Sequence, residues 1–455
     1  MAEIQRVSRR SMLKTGLGVA VAAGFPTIVP ATVFGQTAPS NRINIGAIGV
    51  GRISRGHDLA AIRKYDFARI MAVCDLDANR VEQGKTLVNG YYATGGKPYD
   101  GVTGYRDYRE LLANKDVDAV VISTPDHQHA VLAVNAVRAG KDVYLQKPAS
   151  LTIAEGRTMS DAVRASKRIF QIGSQQRSWK QFHRCCELVR NGRIGEVKHV
   201  EVGLPGDPSG PEALEMPVPP NLNYDAWLGT TPVVYYTEIR VHPQKGFDRP
   251  GWLRCEQFGA GMITGWGAHH VDTAHWGMNT ELTGPVEIWG TAEFPTHGLW
   301  NVHGKFKTDA LYANGMTMSI SGDYPNGIKF IGTKGWIFVT REENVTASDP
   351  GGQVKGQPLV ASDPKILDSV IGPNEIHLYT SDEHHGNWLD CIRTRKETIA
   401  PAEIAHRACS TCLLHHIAMK TKRKLYWDPA KERFQNDDEA NAMLSRPQRA
   451  PYGFK

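Results

Sequence analysis

The sequence predicts an α/β protein in which a doubly wound parallel sheet comes first and antiparallel strands follow. From residue 41 to residue 172, apolar strands alternate with helical segments, which is typical of a parallel sheet. After residue 172, short runs of alternating apolar and polar residues are separated by Gly, Pro and Asn, which is typical of antiparallel strands. The 455 residues, 41% hydrophobic and 22% charged, suffice for two domains and exclude a disordered or collagen-like chain.

Residues 1–40 predict a cleavable export signal. Residues 8–14 read Ser-Arg-Arg-Ser-Met-Leu-Lys, an apolar stretch covers residues 16–25, and the segment ends near Gly35. This layout resembles the twin-arginine signal, so we expect the twin-arginine translocase as a partner during export and a periplasmic location. The apolar stretch is well short of the ~20 residues of a bilayer span, so no stable membrane insertion is expected. The alternative is a disordered basic tail.

A glycine turn follows the first strand, which is apolar and β-branched over residues 43–50. Gly49 and Gly51 lie where the chain turns from strand to helix, and a second buried strand, residues 69–75, ends in Asp75. A dinucleotide-binding unit needs this arrangement, because glycines let the backbone approach the pyrophosphate and the acid accepts from the ribose hydroxyls. Ser54 stands where the fingerprint has its third glycine. The alternative is a tight turn with only a structural role.

The acid at the end of the second strand favours NAD over NADP. Asp75 would repel the 2′-phosphate that distinguishes NADP. Arg80 lies only five residues further on and could accept that phosphate, so NADP is the less favoured cofactor and is not excluded.

Three more strands complete the predicted parallel sheet, at residues 117–123, 142–145 and 168–172, with helices at residues 108–114, 129–139 and 154–166. Ligands of such sheets bind at the carboxyl ends of the strands. Two of these ends carry polar motifs, Thr124-Pro125 with His129 and Gln146-Lys147-Pro148. The residues predicted to contact the cofactor are Gly49, Gly51, Arg52, Ile53, Asp75, Arg80, Ser123, Thr124, Pro125, His129, Gln146 and Lys147.

The second half contains the predicted antiparallel strands and two helices. The strands are at residues 196–203, 286–293, 305–312, 317–321, 327–332 and 335–339. Residues 387–393 and 402–420 have apolar residues at helical spacing. We therefore divide the chain into signal and linker (1–40), an NAD-binding domain (41–172) and a C-terminal domain (173–455).

The charge balance and the cysteines exclude other classes of protein. A net charge of +6, part of it within the signal, is too small to indicate nucleic-acid binding. Seven cysteines are too few for a disulfide framework. The C-x-x-C spacing of Cys409 and Cys412 has no second pair to complete a zinc site, and adjacent histidines on a helix point apart, so no metal is expected.

Taken in order, these motifs resemble the Gfo/Idh/MocA oxidoreductases from about residue 41 to about residue 429. Trp227-Leu228-Gly229 and residues 265–272, Gly-Trp-Gly-Ala-His-His-Val-Asp, extend the resemblance into the second half. The resemblance implies a Rossmann domain followed by an α/β domain with a large, open, mostly antiparallel sheet that mediates a homo-oligomer, a dimer or tetramer. It also implies NAD(P)-dependent hydride transfer on a carbohydrate substrate: a sugar, polyol or glycoside.

The resemblance assigns the proton relay to Lys147, the lysine of the family's E-K-P motif, and to His269, the histidine of its D-x-x-x-H pair. A partly desolvated lysine and a histidine can both exchange a proton near neutral pH. Gln146 and Gly265 replace the two carboxylates of these motifs. Asp272, one helical turn after His269, is expected to orient that histidine. The alternative for Asp272 is an ordinary helix-face or capping acid.

The residues expected to contact the substrate are Gln176, Arg177, Tyr236, Arg240, His242, Arg254 and His270. The exported compartment offers little free NAD, so the leading expectation is an exported oxidoreductase whose tightly bound cofactor is recycled internally. One alternative is a redox-neutral glycosidase, lyase or epimerase that uses NAD transiently. A second is a sugar-binding protein whose catalytic groups have decayed.

Overall fold

The computed structural model describes residues 42–93, 96–341 and 357–454, so the predicted export signal lies outside the described residues. The strands are β1 (Ile43–Ile48), β2 (Ala68–Cys74), β3 (Thr103–Tyr105), β4 (Ala119–Ile122), β5 (Asp142–Leu145), β6 (Phe170–Ile172), β7 (Val197–Gly203), β8 (Pro285–Ala292), β9 (Phe306–Tyr312), β10 (Thr317–Ser321), β11 (Gly327–Gly332), β12 (Gly335–Val339), β13 (Leu359–Ala361), β14 (Leu425–Asp428) and β15 (Arg433–Phe434).

The α-helices are α1 (Leu59–Ile62), α2 (Ala78–Tyr92), α3 (Tyr108–Ala113), α4 (Asp126–Arg138), α5 (Ile153–Ser166), α6 (Lys180–Arg190), α7 (Tyr224–Leu228), α8 (Glu238–Val241), α9 (Met262–Gly265), α10 (Gly267–Met278), α11 (Pro364–Asp368), α12 (His384–Thr394), α13 (Ala402–Thr421) and α14 (Asp438–Ala442). A π-helical turn, Ser54–Asp58, precedes α1. Over the described residues, no helix combines the length and the apolar character needed to cross a bilayer.

The first sheet has six parallel strands in the order β3-β2-β1-β4-β5-β6. The order reverses between β1 and β4, and this reversal opens a crevice at the carboxyl ends of the strands. All four residues of β4 are buried, which accounts for its continuous apolar sequence. The predicted Rossmann fold is confirmed, together with its five predicted strands. The prediction missed β3, which has only three residues, all of them partly or fully exposed.

The second sheet has nine strands in the order β13-β12-β11-β7-β10-β9-β8-β14-β15. Its strands pair antiparallel except β7 and β10, which are parallel, so the predicted mostly antiparallel sheet is confirmed. Helix α10 packs on one face so closely that a Cβ at Gly277 would lie 2.5 Å from the ring of Phe330. The sequence did not predict β13, β14 and β15, which are short.

Helix α13 connects the two halves of the fold. It contacts α5 of the Rossmann half and both α10 and β8 of the second half. It carries Cys409 and Cys412, which are free and buried, as are the other five cysteines. The two sheets separate between β6 and β7, but the domain boundary after residue 172 stays a prediction.

Arg177 and Asp272, which were predicted to act in the functional site, form a buried ion pair with each other instead. Arg177 and Asp272 are 2% and 1% exposed, and the guanidinium donates from Nε and Nη2 to the two carboxylate oxygens at 2.7 Å each. Arg177 Nη1 also lies 2.8 Å from Glu281. Because these side chains bind each other, the predicted substrate contact of Arg177 and the predicted orientation of His269 by Asp272 are both wrong. The pair joins α10 to the 3₁₀ turn Gln175–Ser178.

We expect Asp272→Asn and Arg177→Met each to lower the free energy of unfolding by ~3–5 kcal/mol. Asp272→Asn leaves the buried Arg177 with Glu281 as its remaining acid, and Arg177→Met leaves the buried Asp272 without its arginine. Urea denaturation followed by fluorescence measures this loss. Arg164→Gln, which removes an arginine that is 73% exposed and pairs with Asp161 on the surface, is the control and should change stability by less than ~0.5 kcal/mol. Parent-like stability of Asp272→Asn combined with reduced turnover would return this acid to the active site.

Candidate active site

The crevice of the parallel sheet is a cleft with walls from both halves of the chain. Residues after β1, β2, β4 and β5 form one side, and residues from 223 to 230 and from 241 to 253 form the other. The structure brings together all but one of the residues predicted to contact the cofactor. Those that line the cleft are Gly49, Gly51, Arg52, Ile53, Asp75, Arg80, Ser123, Thr124, Pro125, Gln146 and Lys147.

The glycine turn has the geometry of a pyrophosphate cradle. Gly49 has φ +85° and donates its N–H to Cys74 O at 2.8 Å, and a Cβ there would lie 2.7 Å from the carbonyl oxygen of Ser123. Only glycine fits this position. A Cβ at Gly51 would meet nothing closer than Arg80 Nη1 at 3.8 Å, so the space over the turn is open. The chain is helical from Arg52 onwards, so free N–H groups face that space, and the residues fit a dinucleotide.

Asp75 is held at the rim of the cleft by the backbone. Its Oδ2 accepts from Val50 N at 2.9 Å and its Oδ1 accepts from Asp77 N at 3.0 Å. Each oxygen keeps a lone pair for a ribose hydroxyl. Arg80 is buried with its guanidinium 4.7 Å from the ring centroid of Phe247, and its Nη2 donates to Pro243 O at 3.2 Å. Arg80 is therefore occupied by Pro243 and Phe247 from the second half of the chain, which favours NAD over NADP.

Lys147 reaches from the end of β5 to the second half of the chain. Its Nζ donates to the carbonyl oxygen of Gly265 at 2.9 Å. Burial lowers the pKa of Lys147, the charge of Asp126 opposes that shift, and the charges of Arg249 and Arg341 add to it. A Cβ at Gly265 would lie 3.5 Å from Leu253 and Met262, an ordinary contact, so packing does not require glycine here. A backbone carbonyl thus accepts from the lysine in this chain.

The sequence did not identify Asp126, which also lines the cleft. It is the first residue of α4, it is 3% exposed, and its Oδ2 is buried without a hydrogen-bond partner. Burial raises the pKa of Asp126 against the opposing charges of Lys147 and Arg249. Its position directly after Thr124-Pro125, at the end of a strand, is the signal that could have found it.

Gln146 is fixed by a buried acid that the sequence also did not identify. Asp58 accepts from Gln146 Nε2 and from Ser123 Oγ, both at 2.7 Å. A glutamate at position 146, the family residue, would place a second carboxylate against Asp58. The amide therefore matches a buried negative charge, and this contact explains the departure from the E-K-P motif.

Two histidines balance the charge of Asp58. Its Oδ1 lies 3.1 Å from His385 Nε2 and 3.2 Å from His57 Nδ1. Burial alone would raise the pKa of Asp58, but the hydrogen bonds from His385 and His57 outweigh burial and hold it well below the usual range. Burial lowers the pKa of His385, yet Asp58 and Glu383 raise it overall to about 9. Asp58, His57 and His385 are close enough to one another to surround a metal ion. Asp58 Oδ1 is already engaged, however, because it accepts hydrogen bonds from Gln146 and the histidines.

His269 lies one helical turn after Gly265, so the structure brings it to the region of Lys147. The residue is buried, and its Nδ1 has no hydrogen-bond partner. Burial, together with the positive charges of Arg341 and Lys147, holds the pKa of His269 well below its usual range. The imidazole is therefore neutral near pH 7.

His129 does not line the cleft but holds together two segments that do. Its Nδ1 lies 2.6 Å from Pro148 O and its Nε2 lies 2.9 Å from Thr124 O. The ring therefore ties together the two polar motifs at the ends of β4 and β5. The prediction that His129 contacts the cofactor is corrected, because both ring nitrogens face backbone carbonyls.

Most of the predicted substrate contacts are internal. Gln176 and His270 are fully buried and bond to each other at 3.2 Å, and His270 Nε2 lies 2.7 Å from Asn326 Oδ1. Tyr236 is buried against Tyr224, with ring centroids 5.3 Å apart, and Arg240 is buried and donates to Tyr235 O. These four predictions are wrong because the side chains are enclosed by the protein itself.

The last two predicted substrate contacts lie closer to the cleft. His242 lines it, with Nε2 3.0 Å from Asp77 Oδ2. Arg254 Nε lies 3.3 Å from Asp207 Oδ1, and its guanidinium lies over Trp300, so this side chain is committed to internal partners. Only His242 of the seven therefore keeps a position from which it can contact a ligand in the cleft.

Residues late in the chain hold one wall of the cleft. Tyr452 lines it, and the Tyr452 hydroxyl donates to Asp225 Oδ2 at 2.6 Å. Arg449 donates from Nη2 to Asp225 O at 2.6 Å and from Nε to Gly229 O at 3.1 Å. These bonds fix the segment that contributes Trp227 and Gly229 to the cleft.

Two family models match most of the chain. One, described as "Oxidoreductase family, NAD-binding Rossmann fold", matches residues 43–174. The other, "Oxidoreductase family, C-terminal alpha/beta domain", matches residues 209–350 and 373–454. Both are models of the Gfo/Idh/MocA family.

Curated relatives match over part of the chain. The inositol 2-dehydrogenase of Salmonella typhimurium is 30% identical over 155 residues, which are 34% of this chain and 43% of that protein. The "Glycosyl hydrolase family 109 protein 2" of Shewanella sp. (strain ANA-3) is 30% identical over 207 residues, which are 42% of this chain and 45% of that protein. The chain thus spans less than half the length of these two relatives.

Solved structures share the fold at low sequence identity. The aldose-aldose oxidoreductase of Caulobacter crescentus, complexed with glycerol, has a TM-score of 0.59 at 18% identity and covers 85% of this chain and 99% of its own. The WlbA dehydrogenase of Bordetella pertussis, in complex with NADH and UDP-GlcNAcA, has a TM-score of 0.58 at 17% identity, with the same coverage. The matched models and the shared fold lead to one conclusion: the chain belongs to the Gfo/Idh/MocA oxidoreductase family.

Proposed function

We propose that this protein oxidises a hydroxyl-bearing carbon of a sugar or polyol with NAD. The observation that carries the proposal is that one cleft joins a dinucleotide cradle, Gly49 to Arg52 with Asp75, to a buried lysine and a buried carboxylate, Lys147 and Asp126. NAD, when bound, supplies a hydride acceptor at C4 of its nicotinamide. The partial similarity to an inositol 2-dehydrogenase supports a hydroxylated substrate.

Lys147 is the base in this proposal. Oxidation removes a hydride from the carbon and a proton from its hydroxyl, leaving a carbonyl. Burial lowers the pKa of Lys147, so its amine is available to accept that proton near neutral pH. The bond from Nζ to Gly265 O fixes the direction of the amine. Asp126 stabilises the ammonium that forms and thus replaces the carboxylates missing from positions 146 and 265.

His269 orients the reacting hydroxyl. Its imidazole is neutral, because burial lowers its pKa and Arg341 and Lys147 add like charge. A neutral ring offers one donor and one acceptor nitrogen for a hydroxyl. In the same proposal, the residues of the glycine turn contact the cofactor, and His242 contacts the substrate.

We also propose that the protein is exported with NAD already bound and recycles it internally. The support is residues 8–14, whose paired arginines resemble a twin-arginine signal, together with seven free buried cysteines, as expected of a chain that folds in a reducing compartment. We propose a homo-oligomer, a dimer or tetramer, in which the nine-stranded sheet forms the interface. Tyr426 on β14 is a large side chain that is 50% exposed, and this exposure favours the sheet as the interface.

A second candidate is a redox-neutral glycosidase, lyase or epimerase that oxidises one carbon and then reduces it again. The similarity to a glycosyl hydrolase family 109 protein favours it. Hydride transfer, Lys147 and Asp126 would be shared with the first candidate, and only the fate of the oxidised carbon would differ. A sugar-binding protein with decayed catalytic groups is the third candidate, and it predicts that bound NAD never changes redox state.

Lys147→Met should lower kcat by roughly 10²–10⁴ and leave NAD affinity unchanged, because it removes the base and not the cradle.

In the parent, kcat should rise with pH and reach its plateau below the pH at which an exposed lysine deprotonates, since burial lowers the pKa of Lys147. Asp126→Asn should move the plateau to lower pH by removing a charge that raises this pKa. Gly265→Asp, for which the Cβ has space, should move it to higher pH.

These opposite shifts distinguish a base from a structural residue. Lys431→Met, a change at a side chain that is 80% exposed, is the control and should leave the pH profile unchanged. Wild-type turnover of Lys147→Met on an accepted substrate would show that another group is the base.

Asp75→Asn should weaken NAD binding by about tenfold to hundredfold and NADP binding much less, because it removes the charged acceptor for the ribose hydroxyls but also the repulsion of a 2′-phosphate. Fluorescence titration of both reduced cofactors measures the ratio. Asp107→Asn is the matched control, since Asp107 lines the same cleft and asparagine can still cap α3. An unchanged ratio in Asp75→Asn would place cofactor selectivity elsewhere.

The protein, purified from the periplasm after extensive dialysis, should carry near-stoichiometric NAD, identified by mass spectrometry. It should turn over with no added cofactor, because the cycle restores the redox state of bound NAD. The double change Arg9→Lys with Arg10→Lys should retain the protein in the cytoplasm. An empty protein that needs added NAD would contradict internal recycling, and unimpaired export of the double variant would contradict the twin-arginine route.

A further inference from the structure

Around Lys147, the described residues supply more positive than negative charge. The charges of Arg249, Arg341 and Arg52 all act on Lys147, and Asp126 is the acid that opposes them. Arg254 acts on Arg249 but is paired with Asp207. Arg249 lines the cleft, and Arg341 lies beside Trp266, next to Gly265. Within the described part of the chain, neither Arg249 nor Arg341 forms an ion pair.

Arg341 is held as a cation by neutral groups. Its guanidinium lies 4.7 Å from the ring centroid of Trp266 and 5.1 Å from that of Trp179. With the amide of Gln176 turned to satisfy all its neighbours, the amide oxygen accepts from Arg341 Nε at 3.1 Å. Arg341 Nη2 is buried and, within the part of the chain that the structure describes, has no hydrogen-bond partner. Two rings and an amide therefore fix the plane of a guanidinium that keeps one buried NH2 group unpaired among the described residues.

Burying an arginine without a counter-charge costs free energy unless a ligand supplies that charge. The pyrophosphate of the proposed cofactor belongs over the glycine turn, where Arg52 begins the helix. It does not account for Arg341, whose guanidinium lies over Trp266 and whose charge acts on both His269 and Lys147. Among the described residues, Arg341 thus has no matching anion on the side of Lys147 that faces Gly265.

We infer that the substrate is an acidic sugar whose carboxylate binds Arg341, with Arg249 as the second cation. The inference rests on the proposed function, since it names the substrate class of the same cleft. A carboxylate has two coplanar oxygens that match the fork of a fixed guanidinium, which a neutral hydroxyl does not. With the carboxylate anchored there, a hydroxyl of the sugar ring faces Lys147 and His269.

The test compares three matched ligands on the purified protein with its cofactor reduced: hexuronates, the corresponding hexuronamides and the corresponding neutral hexoses. Isothermal titration calorimetry measures binding without requiring turnover. We expect at least one hexuronate to bind about tenfold to hundredfold more tightly than its amide, which has the same shape without the charge. If no hexuronate in a panel of epimers binds more tightly than its amide, the inference is overturned.

Variants locate the carboxylate. Arg341→Gln should abolish most of the preference for the acid over the amide while leaving cofactor binding unchanged. Arg341→Lys should retain only part of the preference because the fork is lost. Arg249→Gln, a change at a residue on the cleft wall, tests the site independently if Arg341→Gln does not fold. Arg164→Gln, which removes a surface arginine, is the control.

The outcomes separate the inference from the proposed function. If Arg341→Gln and Arg249→Gln both still bind the hexuronate more tightly than its amide, the inference is overturned, because the carboxylate would then bind elsewhere. Arginine-dependent binding of an acid that never oxidises or reduces the bound cofactor would support the inference and contradict the dehydrogenase proposal. Turnover of neutral hexoses at the same kcat/KM as hexuronates would support the dehydrogenase and overturn the acidic substrate.

Discussion

The buried carboxylate of Asp58 organises the cleft. It lies at the end of the helical turn that follows the glycine turn, and it receives hydrogen bonds from Ser123 after β4 and Gln146 after β5. His385 reaches it from α12, more than 300 residues later in the chain. One charge thus aligns three strand ends and a distant helix. It also fixes the residue before Lys147, so the position of the base depends on an acid that touches no ligand.

The electrostatics of the site follow from two kinds of buried charge. Asp58 is fully satisfied by donors, which makes it a structural charge. Around Lys147, by contrast, arginines outnumber acids among the described residues, and Asp126 Oδ2 and Arg341 Nη2 have no hydrogen-bond partner there. Satisfied charges hold a fold together, and unsatisfied ones mark the places where a ligand completes the set. The charges around Asp58 therefore stabilise the cleft, and the charges around Lys147 mark the place where a ligand binds.

The sequence predicted the fold and the cofactor side of the cleft, because those depend on local signals. A glycine turn after a strand, an acid at the end of the next strand and polar motifs at later strand ends can all be read from neighbouring residues. It failed at Arg177, Asp272, Gln176 and His270, whose polar side chains meet one another across the fold and are enclosed there. Polarity alone did not distinguish a ligand contact from an internal bond. Asp58 was missed for the converse reason, since only burial reveals its importance, whereas Asp126 had a local signal in its position directly after Thr124-Pro125.

The bonds from Arg449 and Tyr452 to Asp225 give the site an order of assembly. The glycine turn can form soon after the first strands emerge from the ribosome, but the wall that faces it is fixed only once residues 449–452 have been made. The same holds for His385, which binds Asp58. A nascent chain therefore lacks this wall of the cleft until residues 449–452 have been synthesised. Tight capture of a dinucleotide therefore has to follow the synthesis of residues 449–452, and a change that displaces these residues would loosen the cleft without touching its catalytic groups.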